Sequence, residues 1–312
     1  MSPPEKSNGV RLVQVTADRA GQRLDNFLSA QLKGLPRSAL YRIIRTGQVR
    51  INGKRCKPAA RLEAGDMVRI PPARTREGNQ VLISERVCTQ IREAVLFEDP
   101  DLLVINKPSG MAVHSGSGLP WGLIDVVRQN RPDEYFELAH RLDRETSGCL
   151  VLARNGKSLS HLTRLFRDGS VHKHYLCLLD GRMNEALIKV DAALKKVQVG
   201  AESQMVVSED GKAALTRFRL LQAFVDCSYV EAQLLTGRTH QIRVHALHLG
   251  MPLAGDEKYA GRASLDKWRA RGLHRTFLHA QRLGFASLSG QEMEFNAPLP
   301  EALKSVLDEL ES

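Results

Sequence analysis

His140-Arg141-Leu142-Asp143-Arg144-Glu145-Thr146-Ser147-Gly148-Cys149-Leu150-Val151-Leu152 is the stretch around which this chain is organised. Its first half is dense in charge and hydroxyls. Its second half, Cys149 to Ala153, is a short apolar run that reads as a buried strand. Asp143 therefore sits on a loop just before an interior strand, where a rigid element can hold a reactive group in place. The residues alone also allow a plain turn, in which Asp143, Thr146 and Ser147 bond nearby backbone amides.

The 312 residues suffice for one large domain and a small one. No apolar run approaches bilayer length, so no membrane span is expected. Met1 to Gly9 is polar and has no apolar signal core, so export is not expected either. Cys56, Cys88, Cys149, Cys177 and Cys227 are scattered, odd in number and never spaced Cys-x-x-Cys. They read as free thiols in a reducing, cytoplasmic compartment, with no zinc site.

Charge is informative once it is divided. The whole chain has 45 Lys+Arg against 35 Asp+Glu, a net +10. Residues 1–76 hold 16 against 5, and the remainder 29 against 30. All the net basicity belongs to the N-terminal quarter. A small basic module beside a neutral larger domain suggests an appendage that grips a polyanion.

In chain order, residues 1–19 read as a partly disordered lead. A helix beginning near Gly21 puts Leu24, Phe27, Leu28 and Leu32 on one face. Pro36 suits the first turn of a second helix and Gly47 its end. That helix turns Leu40, Ile43 and Ile44 inward and Arg37, Arg42 and Arg45 outward. Gln48 to Ile51, Asn52-Gly53 and Lys54 to Lys57 read as strand, tight turn and return. Another strand is expected over Met67 to Ile70. Pro71 to Asn79 is polar and proline-bearing, and the linker is assigned to residues 77–92, with the basic module over 20–76 and the large domain over 93–312. Within the large domain, strands are expected at Ala94 to Phe97, Leu102 to Asn106, Leu176 to Leu179, Leu187 to Leu194, Ala214 to Leu221, Asp226 to Leu235, Thr276 to Ala280, Leu283 to Ala286 and Met293 to Asn296. Helices are expected at Trp121 to Gln129, Lys157 to Arg167, after Thr239, and at Pro300 to Leu310. Strands come in runs, with helices between groups. This argues for mixed α+β and against a doubly wound sheet.

The nine residues His140 to Gly148 resemble the catalytic motif of the RluA-type pseudouridine synthases, and the likeness runs from about Ala20 to the C-terminus. The N-terminal third resembles the S4 RNA-binding module. The implied fold is a mixed or antiparallel-sheet catalytic domain with a small α/β S4 domain. Lys107-Pro108-Ser109-Gly110 resembles a further family motif, in which Pro108 fixes a turn and Lys107 braces the catalytic loop. The implied reaction isomerises uridine in RNA: the C1′–N1 bond breaks, the base turns and a C1′–C5 bond forms.

Positive character near C1′ calls for an ionised carboxylate, as nucleophile, electrostatic stabiliser or base at C2′. The resemblance gives that place to Asp143, with the role among the three left open. Arg243, in Thr239-His240-Gln241-Ile242-Arg243-Val244-His245, matches the arginine that pairs with the aspartate. Its fork would hold the carboxylate bidentately and keep it ionised. Tyr175, in Lys173-His174-Tyr175, matches an aromatic suited to a flipped base, and its hydroxyl could help remove the C5 proton. Arg141 matches the side chain that fills the space the uridine vacates. By residue type alone, Tyr175 could be a core tyrosine and Arg141 and Arg243 surface charges. Arg42, Arg45, Arg50, Lys54, Arg55 and Lys57 are expected to contact phosphates, positioning RNA without reading bases.

Five histidines, His140, His172, His174, His240 and His245, look like metal ligands but lack a spacing with a third ligand and an open site. Isomerisation needs no metal or redox partner, so no cofactor is expected. The expected partner is large-subunit (23S) ribosomal RNA. Alternatives are another structured RNA such as tRNA, or a non-catalytic ribosomal RNA binder or assembly factor. Nothing in the sequence speaks to oligomeric state, and a monomer is the default expectation.

Overall fold

The computed structural model describes residues 9–32, 35, 37–72, 83–116, 119–200 and 202–311. Pro36 and residues 77–82 of the expected linker lie outside them, as do residues 1–8.

The N-terminal unit is built from strand β1 (Arg11–Gln14), helices α1 (Leu24–Gln31) and α2 (Arg37–Arg45), and strands β2 (Arg50–Ile51), β3 (Lys54–Arg55) and β4 (Met67–Ile70). The strands form one sheet in the order β1-β4-β2-β3. Apolar residues three and four apart on α1 and α2 pack on it: Leu24, Phe27, Leu28, Leu40, Ile43 and Ile44 are buried with Val68 and Ile70. Asn52 and Gly53, both at positive φ (48° and 77°), make the two-residue turn between β2 and β3. β1 falls inside the stretch expected to be a lead. Its burial is exposed-exposed-intermediate-exposed, so no hydrophobic alternation marks it. Pairing with β4 specifies it instead.

The larger unit opens with helix α3 (Glu85–Glu93), where a linker was expected. Its polar sequence hides two buried residues, Cys88 and Ile91, that seat it in the core beside Val126 and Val127. There follow β5 (Val95–Glu98), β6 (Leu102–Lys107), α4 (Leu123–Asn130), β7 (Glu137–Leu138), β8 (Ser147–Ala153), α5 (Gly156–Asp168), β9 (His172–Leu179), β10 (Leu187–Asp191), β11 (Leu194–Val199), β12 (Glu202–Val207), β13 (Leu215–Ala223), β14 (Ser228–Leu234), α6 (Gln241–His248), α7 (Arg262–Ala270), β15 (Leu278–Ala286), β16 (Glu292–Asn296) and α8 (Glu301–Glu311).

Eight strands run β10-β13-β14-β9-β15-β8-β6-β5, with β16 on β15 and β7 on β8. Among the described strands of this sheet, every pair is antiparallel except β15 with β8. The fold is thus mixed α+β, as the grouping of strands implied. β8 is buried at all seven positions, which is why its sequence is continuously apolar after Gly148. Gly148 (φ 113°) lies where β8 meets β15, and a Cβ there would overlap the carbonyl of Ala280. The two strands expected over Thr276 to Ala286 are one, β15, with a register shift between His279 and Arg282.

Candidate active site

Asp143 lies on the loop from β7 into β8, where its carbonyl accepts from the Thr146 N–H at 3.1 Å. The loop is held from below. Lys107 is fully buried and donates from Nζ to the carbonyls of Arg144 (3.0 Å), Pro108 (2.9 Å) and Met111 (2.7 Å). Ser109 Oγ donates to Glu145 O at 2.8 Å, and the Gly110 N–H to Arg144 O at 2.9 Å. Burial pulls the Lys107 pKa down to about 7, and three carbonyl acceptors are what its ammonium receives in exchange for water. The expected brace is therefore a tripod of backbone carbonyls.

The second motif forms the facing wall. Gln241, 2 % exposed, ties its loop together: Oε1 accepts from Thr236 Oγ1 (2.7 Å) and the Arg238 N–H (3.0 Å), while Nε2 donates to Leu215 O and Thr216 Oγ1 (both 3.0 Å). His240 then enters α6 in the left-handed region (φ 54°), an uncommon conformation for a residue with a side chain. The turn delivers His240 and Arg243 to Asp143. Arg243 NH1 and His240 Nε2 each lie 3.9 Å from Asp143 Oδ2.

The expected bidentate pairing of Arg243 with Asp143 is not what the structure contains. Its fork is taken by Asp256: Nε to Oδ2 at 2.7 Å and NH2 to Oδ1 at 2.6 Å. Burial pulls the Arg243 pKa down, but the Asp256 bonds and the Asp256 and Asp143 charges outweigh it, and the net shift is upward. Asp256 is fully buried and also accepts the Lys258 and Tyr259 N–H groups. Tyr259 adds its ring, 5.0 Å from the Arg243 guanidinium, and its hydroxyl, 2.7 Å from His240 Nδ1. That hydroxyl accepts from the Met205 N–H at 3.2 Å, and its own hydrogen can be donated to His240 Nδ1. In the tautomer that accepts this bond, the imidazole carries its proton on Nε2, facing Asp143. Burial lowers the His240 pKa; the Asp143 charge opposes this and Arg243 reinforces it.

Asp143, Arg243, Tyr175 and Arg141 all line one cavity of about 280 Å³, together with His140, Phe166, Lys173 and His240. Tyr175 projects from β9. Burial, then the nearby Asp143 charge, push its phenol above the ordinary value, so the ring is neutral at physiological pH. Arg141 is exposed and reaches across the mouth to Thr239 Oγ1 at 3.1 Å. The six basic residues of the N-terminal unit lie elsewhere. All are exposed, and among the described residues none pairs with a carboxylate. Four of them gather at one turn: Arg50 Nε donates to Gly47 O at 3.3 Å, and the Arg55 side chain lies over Gly47, at the end of the helix that carries Arg42 and Arg45, while Lys54 and Lys57 line a shallow hollow with Arg55. Asp25, a buried acid of that unit, is spent on Arg23 and the Tyr41 hydroxyl.

Sequence reasoning missed Asp256 and Tyr259. The available signal was an aspartate after the apolar run Met251 to Ala254, since a buried acid requires a cationic partner. The histidines go separate ways. His245 is buried between Thr216 and Ala192, His140 Nε2 accepts from the Val151 N–H, and His174 faces Glu231. Among the described residues no three His, Cys, Asp or Glu side chains are grouped to hold a metal. Ser147 does meet a histidine, His279, at 2.9 Å. Both are buried, and His279 Nε2 is bonded to Ala297 O, so the pair is an internal strap between β8 and β15.

A tethered carboxylate facing a buried arginine and an aromatic ring, on a mixed sheet beside an S4-like unit, defines a class that comparison bears out. The RNA pseudouridylate synthase family profile matches residues 101–248 and the S4 domain profile residues 22–68. The chain belongs to the RNA pseudouridylate synthase family. Among curated proteins it is similar to ribosomal large subunit pseudouridine synthase C of Yersinia pestis (45 % identical over 303 residues, 96 % of this chain and 95 % of the relative). The proteins of that name from Escherichia coli strain K12 (44 %, covering 96 % and 97 %) and Haemophilus influenzae (41 %, covering 97 % and 96 %) are similarly related. Among solved structures it resembles human RNA pseudouridylate synthase domain containing 4 (TM-score 0.60, 26 % identity, 72 % of this chain and 96 % of that one). It also resembles human RNA pseudouridylate synthase domain containing 1 (TM-score 0.59, 28 % identity, covering 68 % and 86 %). Among the described residues no helix is long and apolar enough to cross a membrane.

Proposed function

We propose that this pseudouridine synthase acts on large-subunit ribosomal RNA in the cytoplasm, with Asp143 as its catalytic carboxylate. The observation that carries the reading is the setting of Asp143. Its side chain is 25 % exposed, open to a nucleoside-sized cavity, and faces Arg243 and His240 across 3.9 Å. A carboxylate so placed keeps its oxygens free for the sugar.

In this reading the target uridine leaves its stack and enters the cavity, and Arg141 swings from Thr239 into the vacated space. Tyr175 presents its ring to the base. Being neutral, its hydroxyl serves as a hydrogen-bonding group at C5 rather than as a ready phenolate. Arg243, clamped by Asp256, keeps one N–H edge toward Asp143. Arg42, Arg45, Arg50, Lys54, Arg55 and Lys57 take RNA phosphates. Isomerisation conserves composition and oxidation state, so the reaction as proposed uses no metal or other cofactor. The working unit in this reading is a monomer.

The test is a pseudouridine map of ribosomal RNA from cells with and without the gene, complemented by wild-type or Asp143→Asn protein. Large-subunit sites should vanish with the gene and return only with the wild type. Unchanged large-subunit maps with altered transfer RNA would move the substrate to tRNA. Maps that the Asp143→Asn protein restores would favour a non-catalytic binder.

A further inference from the structure

We propose that Lys173 donates a hydrogen bond to a carbonyl oxygen of the flipped uracil and stabilises the negative charge the base acquires as its glycosidic bond breaks. This rests on reading the cavity as the pseudouridine synthase pocket.

Among the described residues, three cationic side chains are more than nine-tenths buried: Lys107, Lys173 and Arg243. Lys107 has its three carbonyls and Arg243 has Asp256. Lys173, 7 % exposed, has no hydrogen-bond or ion-pair partner among the described residues. An ammonium removed from water without a partner is costly, and burial alone pulls its pKa down. Its neighbours in the cavity do not compensate. Phe166 is apolar, and the His140 ring stacked on it (4.4 Å between centroids) already uses Nε2 to accept from the Val151 N–H. An unpaired charge that opens into a cavity is accounted for by a ligand.

The position indicates which part of the substrate that is. Lys173 and Tyr175 are two residues apart on β9, so they project from the same face of the sheet, and both line the cavity. Lys173 is deeper than Asp143, whose side chain is 25 % exposed. RNA phosphates belong to a continuous chain and remain at the rim, near the exposed Arg141 and Arg238. What penetrates is the base. The acceptors it brings are O2 and O4, and an ammonium, which only donates, suits both.

When the C1′–N1 bond breaks, its electron pair departs with the base and spreads over N1, O2 and O4. A fixed donor at either oxygen then binds the departing base more tightly than the bound uridine, which is the condition for lowering a barrier. Asp143 meets the positive character left at C1′. Bond formation from C5 to C1′, release of the C5 proton to solvent and uptake of one proton from solvent at N1 complete the isomerisation, and Lys173 ends as it began.

The test compares wild type with Lys173→Met on two RNAs that differ only in carrying uridine or 5-fluorouridine at the target. Fluorine lets the base carry negative charge unaided. Single-turnover loss of the starting nucleoside should be about 100-fold slower for the variant on uridine, the scale for removing one anion-stabilising donor. The deficit should shrink at least tenfold on 5-fluorouridine, while RNA affinity is unchanged. Because an unpaired buried charge is removed, the melting temperature should hold or rise. Equal deficits on the two RNAs, or a wild-type rate on uridine, overturn the proposal. So does a fall in melting temperature for both Lys173→Met and Lys173→Gln, which would make the lysine a structural brace. Wild-type protein inert on uridine RNA would instead remove the reading of the pocket itself.

Discussion

Arg243 grips Asp256 with its Nε and NH2 edge and leaves NH1 3.9 Å from Asp143. The arginine is therefore clamped by one aspartate and offered to another. Division of the guanidinium fixes its position whether or not RNA is bound, while Asp143 keeps both oxygens uncommitted.

Asp256→Asn tests the clamp. It leaves a buried guanidinium with no anion on its fork, and breaking a buried pair costs about 3 kcal/mol or more. Arg243 would also be free to turn its fork onto Asp143 and occupy the oxygens the reaction needs. We expect a lower urea midpoint together with a single-turnover rate reduced well beyond the loss of folded protein. A variant with normal rate and normal stability would mean that something else holds Arg243.

Tyr259→Phe tests the second contact. The ring and its place over Arg243 survive, but the hydroxyl between Met205 N–H and His240 Nδ1 is removed. One hydrogen bond is worth about 1 kcal/mol. We expect a comparably small loss of stability, and a rate about tenfold lower because His240 no longer holds its proton on Nε2 toward Asp143. If activity is unaffected while stability falls, the hydroxyl serves only the packing of β11–β12 against α6.

How much of this could be read from the chain depends on which residues carry a pattern. Asp143 sits between a polar loop and an apolar run, and β8 is apolar because both its faces are covered. The helices α1 and α2 repeat their apolar residues at helical spacing, so their buried faces follow directly. Asp256 has no such neighbours: it is a lone acid in a loop, and only the tertiary fold brings it to Arg243, thirteen residues earlier. β1 is largely exposed and the β11–β12 hairpin buries only Leu194, so no alternation reveals them and pairing alone defines them. α3 and α7 each bury only one or two side chains, Trp268 being the one in α7. The motif residues were legible. So was the Lys107 brace beneath Asp143, but Asp256 and Tyr259, which hold Arg243 and His240, were not.

His279 gives a pH prediction. Burial, with Arg275 nearby, lowers its pKa from 6.5 to about 4 even though its bond to the Ala297 carbonyl works the other way. Between those values the unfolded chain binds the proton and the folded protein does not. Stability is therefore fully present above pH 6.5 and is lost as pH falls toward 4, by about 3 kcal/mol for this group. Urea unfolding of the wild type from pH 7 to pH 4 should show that slope, and His279→Gln should flatten it. Equal slopes would remove His279 as a cause.

The basic unit predicts salt dependence. Changing Arg50, Lys54, Arg55 and Lys57 together to glutamine should weaken RNA binding and reduce the log–log salt slope by roughly 0.7 to 0.9 for each phosphate no longer neutralised. Turnover on saturating RNA should persist, since none of the four lines the cavity. An unchanged slope would place the RNA on another face.

Asp143→Asn is where the mechanism is most exposed. The amide is nearly isosteric, and the loop is held by bonds that do not involve the Asp143 carboxylate: the Lys107 tripod, Ser109 to Glu145 O, and the turn from Asp143 O to Thr146. The fold should therefore survive, and so should the clamp of Asp256 on Arg243. What disappears is the charge that faces Arg243 NH1 and His240 Nε2, and with it any nucleophilic oxygen for C1′. Among the described residues no nearby acid can substitute. Asp256 is fully buried behind Arg243, and the Glu145 side chain pairs with Arg144. Loss of an electrostatic or covalent catalyst costs several kcal/mol in the barrier, or orders of magnitude in rate. We expect no detectable pseudouridine under conditions in which the wild type reaches completion. RNA binding should be equal or slightly tighter, because a negative charge facing RNA is gone. Tritium release from RNA labelled at uridine C5, read beside a binding isotherm on the same preparation, separates the two effects. Wild-type release by a well-folded Asp143→Asn protein would falsify the assignment, since the remaining described groups of the cavity supply donors and a neutral ring but no second carboxylate.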